Sequence, residues 1–429
     1  MSINGYISVE QSFNISGQAE LVGAKNAALP IMASLILVSG KSVLHSVPNS
    51  ADINEMIDLL TDLGAKIHFD KDSNILEFDG SSIYKAEVKH EVMDKMRASI
   101  LVMGPLLSRF KKARVAFPGG CSIGARPIDF HLKGFECLGV SITYDNDFIY
   151  ASADQELNKK KKIVLEYPSV GATENLIMFA TLQNGSTTIV NAALEPEVLD
   201  FIEVLKKMGA DIKFDLPATV IVTGVKKLNP IMHTIIPDRL EAGALLLASA
   251  ITGGKIILPS ARPDQMEMFL EKLKQMGHEV ITGIGNNSNL GIKLIATKNP
   301  KATNIKTCPY PGFPTDLQSP MMAALCLANG VSIVDETVFE NRLMHVKELE
   351  KMGAQISVKN SKANVNGVNH LYGANVIASD IRASAALVLA GLAATGKTQV
   401  FGLHHWRRGY DKLEDKLKIL GAKIEIIQE

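Results

Sequence analysis

Three glycines surround a single cysteine in the segment Pro118-Gly-Gly-Cys121-Ser-Ile-Gly-Ala-Arg126-Pro127. Glycine adds backbone freedom and no side-chain packing, so the segment reads as a loop. An exposed thiol on such a loop, with Arg126 nearby to favour the thiolate, suits proton transfer or nucleophilic attack. A plain glycine-rich turn carrying an incidental small residue is the structural alternative. A phosphatase-type phosphate loop is excluded, because it needs a longer Cys-to-Arg spacing than the four residues Ser122 to Ala125. A second segment, Gly23-Ala-Lys25-Asn26-Ala-Ala-Leu-Pro, puts an ammonium and an amide where an apolar helix opens. Free backbone N–H groups at that end suit an anion such as phosphate, although a solvated helix start has the same appearance. In the third, Tyr310-Pro-Gly-Phe-Pro-Thr-Asp316, proline and glycine stiffen the backbone before one carboxylate. Asp316 reads either as an N-cap or as a general base or hydroxyl acceptor. The arginines Arg97, Arg382 (beside Asp380), Arg407 and Arg408 complete the set, as forks for carboxylate or phosphate or as surface ion pairs.

Several chemistries are absent. The ten histidines show no HExxH spacing and the four cysteines (121, 137, 308, 326) form no CxxC pair, so neither a metal nor a disulfide frame is expected. No GxGxxG or GxxxxGK[ST] run is present, and no cofactor is implied. Lys159–Lys162 reads as a solvated loop. The 45 Lys and Arg balance 45 Asp and Glu, which argues against nucleic acid as a partner, and aromatics at 6% give few stacking platforms. With 46% apolar residues in 429, the chain has material for two or three folded domains. Its longest apolar stretches fall short of the roughly 20 residues that cross a bilayer. The N-terminus lacks a basic segment followed by an apolar one, so no secretory signal is expected. Together these features point to a protein of the cytoplasm that binds no membrane.

What must position these residues is a repeat. An amphipathic helix, then Leu or Met, then Gly, then a β-rich run recurs six times, at LGAKIHF, LGVSITY, MGADIKF, MGHEVIT, MGAQISV and LGAKIEI. The glycines stand at 64, 139, 209, 277, 353 and 421, so successive intervals are 75, 70, 68, 76 and 68. Before Gly64 the apolar residues Ile53, Met56, Ile57, Leu60 and Leu63 follow a helical stripe, and Asp52 with Glu55 resembles a capping box. Gly64 then supplies the left-handed C′ position. A second helix type, rich in Ala, precedes each of these and reads as buried on all sides. Most such helices also end in Gly, but the second unit has Phe110-Lys111-Lys112 there. Units this long favour closed domains over a solenoid, so six units give two domains of three, with Asn229-Pro230 a credible crossover and a ligand cleft expected between the lobes.

The motifs GAKNAALP, FPGGCSIGARPIDFHL, SVGATEN, PGFPTDLQ, ETVFENRLMHV, DIRASAALVLAG and RGYDKLEDKL resemble the enolpyruvyl transferase family over essentially the whole chain. The cysteine loop sets the chain apart from the shikimate-pathway branch of that fold. The resemblance implies an α/β fold, a two-domain inverse α/β barrel like EPSP synthase. Each domain would hold three βαβαββ repeats with buried helices. Residues 1–22 with 237–429 would form one lobe, and 23–236 the other. The implied reaction moves the enolpyruvyl group of phosphoenolpyruvate to the 3′-hydroxyl of UDP-N-acetylglucosamine and releases phosphate, by addition and elimination, at the first committed step of peptidoglycan precursor synthesis. It needs no cofactor and no metal.

By the same resemblance Cys121 is the general acid and the group that fosfomycin alkylates. Lys25, Asn26, Arg126 and Arg408 hold phosphoenolpyruvate. Asp316 accepts from the sugar hydroxyl, and Asp380 supports the reacting centre. Asn26, Arg97, Arg126, Pro127, Ile128, Asp129, Phe130, Ser169, Val170, Gly171, Asp316 and Val338 surround the nucleotide sugar. One departure stands out: the family's Asp before Arg-Gly-Tyr is replaced by Arg407. That exchange keeps open a divergent paralogue with reduced or altered activity. Another enzyme on the same repeat fold, or a catalytically silent repeat protein, are the remaining alternatives.

Overall fold

The computed structural model describes residues 5–88, 97–117, 128–145, 147–153, 160–285 and 288–428, with the side chains of Arg97 and Lys160 outside that set. Helix Ala51–Asp62 shows how one repeat is built. It buries Ile53, Met56, Leu59 and Leu60. It ends where Gly64 takes φ +106°, and the chain turns into strand Lys66–Asp70, paired antiparallel with Ile75–Asp79. Gly139, Gly209, Gly277, Gly353 and Gly421 all have φ between +90° and +106°. Only glycine takes that conformation without a Cβ clash, so one backbone need explains all six. The capping-box reading at Asp52 is corrected: the N-cap is Ser50, which makes no side-chain cap bond, and Asp52 lies inside the first turn.

Each repeat contributes to a small outer sheet. Strands such as Lys362–Asn366 alternate exposed and buried residues, as a sheet with one wet face requires. Among the described residues, five of the six sheets have four strands in one arrangement, with a parallel edge strand and antiparallel neighbours. The sixth shows three strands, Lys112–Ala116, Phe148–Ser152 and Ser141–Asp145. The chain's first strand, Tyr6–Glu10, lies between Lys397–Phe401 and Lys423–Ile427, and Gly17–Gln18 runs parallel to Lys255–Leu258. Residues 5–22 are therefore built into sheets made by the C-terminal half.

The described residues form two compact units, one of 5–22 with 237–428 and the other from 23 to 236. Asn229 and Pro230 are not the crossover. The Asn229 N–H donates to Met208 (2.8 Å) and the Ile231 N–H to the Ser42 hydroxyl (3.2 Å), both inside the 23–236 unit. Each unit has its own apolar core. The Ala-rich helices fill it: Lys25–Ser34, Met103–Phe110 and Val170–Ala180 in one, Arg239–Thr252, Gln318–Leu325 and Ile381–Ala393 in the other. Small residues let them approach closely. A Cβ on Gly243 would stand 2.6 Å from Leu317, and one on Gly104 would stand 2.2 Å from the Asn175 carbonyl oxygen. Among the described residues no helix is long and apolar enough to cross a membrane.

Helix Met103–Phe110 ends without a glycine because Lys111 itself takes the left-handed conformation, φ +61°. A non-glycine residue there costs roughly 1–2 kcal/mol. Its ammonium donates to Gln183 (3.1 Å), a small return. Lys111→Gly should therefore stabilise the protein by about 0.5–1 kcal/mol once the greater unfolded-state freedom of glycine is deducted. A rise in the urea midpoint at unchanged slope reads this out.

Glu241, in the first turn of helix Arg239–Thr252, is buried. It accepts from the Val22 N–H (3.1 Å) and from the Lys416 ammonium (2.6 Å). Burial raises its pKa to about 7, with Lys416 opposing and Asp238 adding to the rise. A carboxyl whose folded pKa is raised binds more protons folded than unfolded, so its contribution to stability is lost as pH rises. Folding stability should fall from about pH 4.5 to about pH 7, and Glu241→Gln should flatten that part of the curve in urea titrations.

Candidate active site

In the unit containing 237–428, the three Ala-rich helices pack together; two begin at an aspartate and the third follows a short turn that carries one. Asp238 caps Arg239–Thr252 by accepting from the Leu240 and Glu241 N–H groups (2.7 and 3.2 Å). Asp380 caps Ile381–Ala393 by accepting from the Arg382 and Ala383 N–H groups (2.8 and 3.0 Å), and Ser379 donates to its other oxygen (2.9 Å). Asp316 lies on the 3₁₀ turn Thr315–Leu317 that leads into Gln318–Leu325, and that turn has no side-chain cap. Its Oδ1 accepts from Arg342 (2.7 Å) and from the Arg382 Nε (3.2 Å). The Asp316 side chain is 29% exposed, whereas those of Arg342 and Arg382 are 3% and 6% exposed. Two buried guanidinium groups thus fix one oxygen of a carboxylate that reaches the surface.

Arg382 also donates to the Tyr410 hydroxyl (3.2 Å). Burial lowers its pKa, but Asp316, Tyr410 and Asp238 outweigh this and hold it above the ordinary arginine value. His345 is pushed below the usual histidine range by burial, against the pull of Asp380. Burial pushes His405 down to about 4, with His404 and Arg408 adding and Asp380 opposing. The imidazoles beside Arg408 and Asp380 are therefore neutral near pH 7, and the cationic charge of this region rests on arginine.

In the 23–236 unit, Lys25 opens helix Lys25–Ser34 and its ammonium meets the Asp52 carboxylate at 2.7 Å, with side-chain exposures of 8% and 5%. A buried charge needs such a partner. Asn26 follows in the same turn. Ser169 caps helix Val170–Ala180 by accepting from the Ala172 N–H (3.4 Å), which places Val170 and Gly171 in its first turn. Gly171 faces His131, whose Nδ1 accepts from Asn175 (3.0 Å). Ile128 and Phe130 pack against the core at the start of helix Asp129–Cys137, and Asp129 pairs loosely with Lys133 (3.6 Å). Cys121, Arg126 and Pro127 lie outside the described residues, as does the side chain of Arg97. Among the described residues no group of three or more His, Cys, Asp or Glu is placed to hold a metal ion.

Residues 9–417 match the family described as EPSP synthase (3-phosphoshikimate 1-carboxyvinyltransferase). The chain belongs to this family. A UDP-N-acetylglucosamine 1-carboxyvinyltransferase 1 from Caldanaerobacter subterraneus subsp. tengcongensis is 46% identical over 416 residues, covering 97% of this chain and 98% of that one. A UDP-N-acetylglucosamine 1-carboxyvinyltransferase from Wolbachia sp. subsp. Brugia malayi is 48% identical over 417 residues, covering 96% of both. In fold the chain is similar to the enolpyruvyl transferase NikO from Streptomyces tendae, with TM-score 0.88, 23% identity and 99% of both chains covered. An EPSP synthase from Acinetobacter baumannii superposes with TM-score 0.77 at 17% identity, over 99% of this chain and 100% of that one. These likenesses bear out the inverse α/β architecture expected from the motifs.

Carboxyvinyl transfer needs cations for a phosphate and a carboxylate, a proton donor, and an acceptor for a hydroxyl proton. Three residues that bond to the assigned groups, or to the turns that carry them, were not singled out from the sequence. Asp52 reads from the sequence as part of a helix cap, and Glu336 and Arg342 both lie inside the motif ETVFENRLMHV, Glu336 as its first residue. Glu336 is buried. It accepts from the Thr307 hydroxyl (2.9 Å), the Thr315 hydroxyl (2.9 Å), and the N–H groups of Val338 (2.9 Å) and Phe339 (3.1 Å). It ties the turn carrying Asp316 to the turn carrying Val338. The available signal was its place as the first residue of a family motif, without the local pattern that marks a cap.

Proposed function

We propose that this chain transfers the enolpyruvyl group of phosphoenolpyruvate to the 3′-hydroxyl of UDP-N-acetylglucosamine, releasing phosphate, at the first committed step of peptidoglycan precursor synthesis. The observation that carries this reading is identity of 45–48% over nearly the full length to relatives bearing that enzyme's name. In the proposed reaction, protonation of the C3 methylene of phosphoenolpyruvate makes C2 electrophilic. The sugar oxygen adds to C2, and the tetrahedral adduct then loses a proton from C3 and phosphate from C2, which restores the carbon–carbon double bond. Asp316 accepts the hydroxyl proton, and its support comes from a fixed, part-exposed carboxylate. Lys25, Asn26, Arg126 and Arg408 hold the anionic groups of phosphoenolpyruvate. Cys121 donates the proton to C3, and Asp380 supports the reacting centre. Arg97, Arg126 to Phe130, Ser169 to Gly171 and Val338 bound the nucleotide sugar. Both substrates are small molecules, and the proposed location is the cytoplasm.

The deciding experiment measures phosphate release from phosphoenolpyruvate with and without UDP-N-acetylglucosamine. Release only in its presence is expected, and release with shikimate 3-phosphate instead would overturn the assignment. Fosfomycin should alkylate Cys121, detected as a peptide mass shift. Cys326 should stay unmodified, because burial pushes its thiol up to about 12 and only the thiolate reacts.

A further inference from the structure

A second cluster of reactive groups in the 23–236 unit uses none of the residues assigned above. A depression of about 570 Å³ is lined by His45, Lys207, Met232, His233 and Thr234. Its chemistry comes from helix Pro196–Met208 and strand Met232–Thr234. Asp200 and Lys207 stand two turns apart on one stripe of the helix, and the strand lays His233 between them. His233 Nε2 is 3.1 Å from Asp200 Oδ1, and its Nδ1 is 3.3 Å from the Lys207 ammonium. His233 and Asp200 are each 7% exposed, whereas Lys207 is exposed. The other Asp200 oxygen accepts from the Ile236 N–H (3.3 Å), which holds the carboxylate in place.

An ammonium can only donate, so Nδ1 is the acceptor and the neutral ring carries its proton on Nε2, facing Asp200. This is the order of groups that activates a nucleophile: an amine in contact with a base, and the base oriented by a buried carboxylate. The geometry points to Lys207 as a site of acylation by small acyl phosphates. The residues lining the depression carry cationic or neutral groups and no carboxylate, which suits an anionic donor. His233 Nδ1 takes a proton from the Lys207 ammonium and becomes an imidazolium held by Asp200. The free amine attacks the acyl carbon, the C–N bond forms, and the C–O bond to phosphate breaks with its electron pair leaving on phosphate. Phosphate takes the second nitrogen proton, and His233 returns the first to water.

The test incubates the full chain with acetyl phosphate and follows acetylation of each lysine by peptide mass spectrometry. Lys206 is the internal control, adjacent in the same helix and lying over the Phe214 ring at 5.6 Å. Lys207 should acetylate at least about tenfold faster than Lys206, since a positioned base contributes on the order of 10²–10⁴. In His233→Gln, which retains a donor for Asp200, the Lys207 rate should drop to that of Lys206, with the thermal midpoint checking that the variant folds. A wild-type ratio near one overturns the proposal without any variant, and so does a ratio undiminished in folded His233→Gln.

Discussion

Asp316→Asn is expected to lower kcat by about 10²–10⁴, the range over which a positioned acid or base acts. In barrier terms that is about 3–5 kcal/mol. Asparagine preserves shape and one carbonyl oxygen, so Arg342 and Arg382 keep an acceptor where Asp316 now receives them at 2.7 and 3.2 Å. What disappears is the carboxylate charge and the capacity to take a proton. The KM for UDP-N-acetylglucosamine should therefore change far less than kcat, because an interaction that strengthens only as the hydroxyl loses its proton is worth little in the ground state. Asp316→Ala is a poorer probe. It leaves two buried guanidinium groups without their carboxylate, a defect on the order of 3–5 kcal/mol that would mix instability with catalysis. If kcat of a folded Asp316→Asn stays within threefold of wild type, Asp316 is not the acceptor, and its role is confined to pairing the two arginines.

The contrast between what was legible and what was not follows from the range of the physics. The six helix-ending glycines stand out because a left-handed residue is a local backbone need, and only glycine meets it freely. Lys111 shows the limit: its φ of +61° is imposed from outside, and no residue type announces it. The buried helices were legible from their Ala-rich composition, Lys25 and Asp316 from their places at helix starts, and Asp380 only as the neighbour of Arg382 and from the family resemblance. Their partners were not. Lys25 meets Asp52 27 residues away, and Asp316 meets Arg342 and Arg382 26 and 66 residues away. Helix-start chemistry misled at Asp52: the helix opens at Ser50, and the Asp52 carboxylate meets the Lys25 ammonium. At Asp316 neither the N-cap reading nor the general-base reading named a partner, whereas the observed contacts come from Arg342 and Arg382.

Glu336→Ala should cost the protein on the order of 4 kcal/mol or more and depress kcat as well, through a residue argued to position others. Four donors converge on this carboxylate: two hydroxyls and two backbone N–H groups. Each buried donor left unsatisfied costs about 1–3 kcal/mol, so even with water admitted to part of the gap the sum is large beside a typical point mutation. The activity loss has a separate cause. Thr315 is bonded to Glu336 and precedes Asp316, so without the carboxylate the 3₁₀ turn loses its anchor. A misplacement of roughly 1 Å at a reacting group costs about 10²-fold. Glu336→Gln separates the two effects. The amide oxygen still accepts from Val338, Phe339 and Thr307, and the amide nitrogen can donate to the Thr315 hydroxyl, which serves as donor or acceptor. Stability and kcat should then both return to within severalfold of wild type. A Gln variant that recovers the urea midpoint but leaves kcat as low as the Ala variant would show that the charge of Glu336 acts on the reaction directly. Recovery of both places its effect in the geometry of the Asp316 turn.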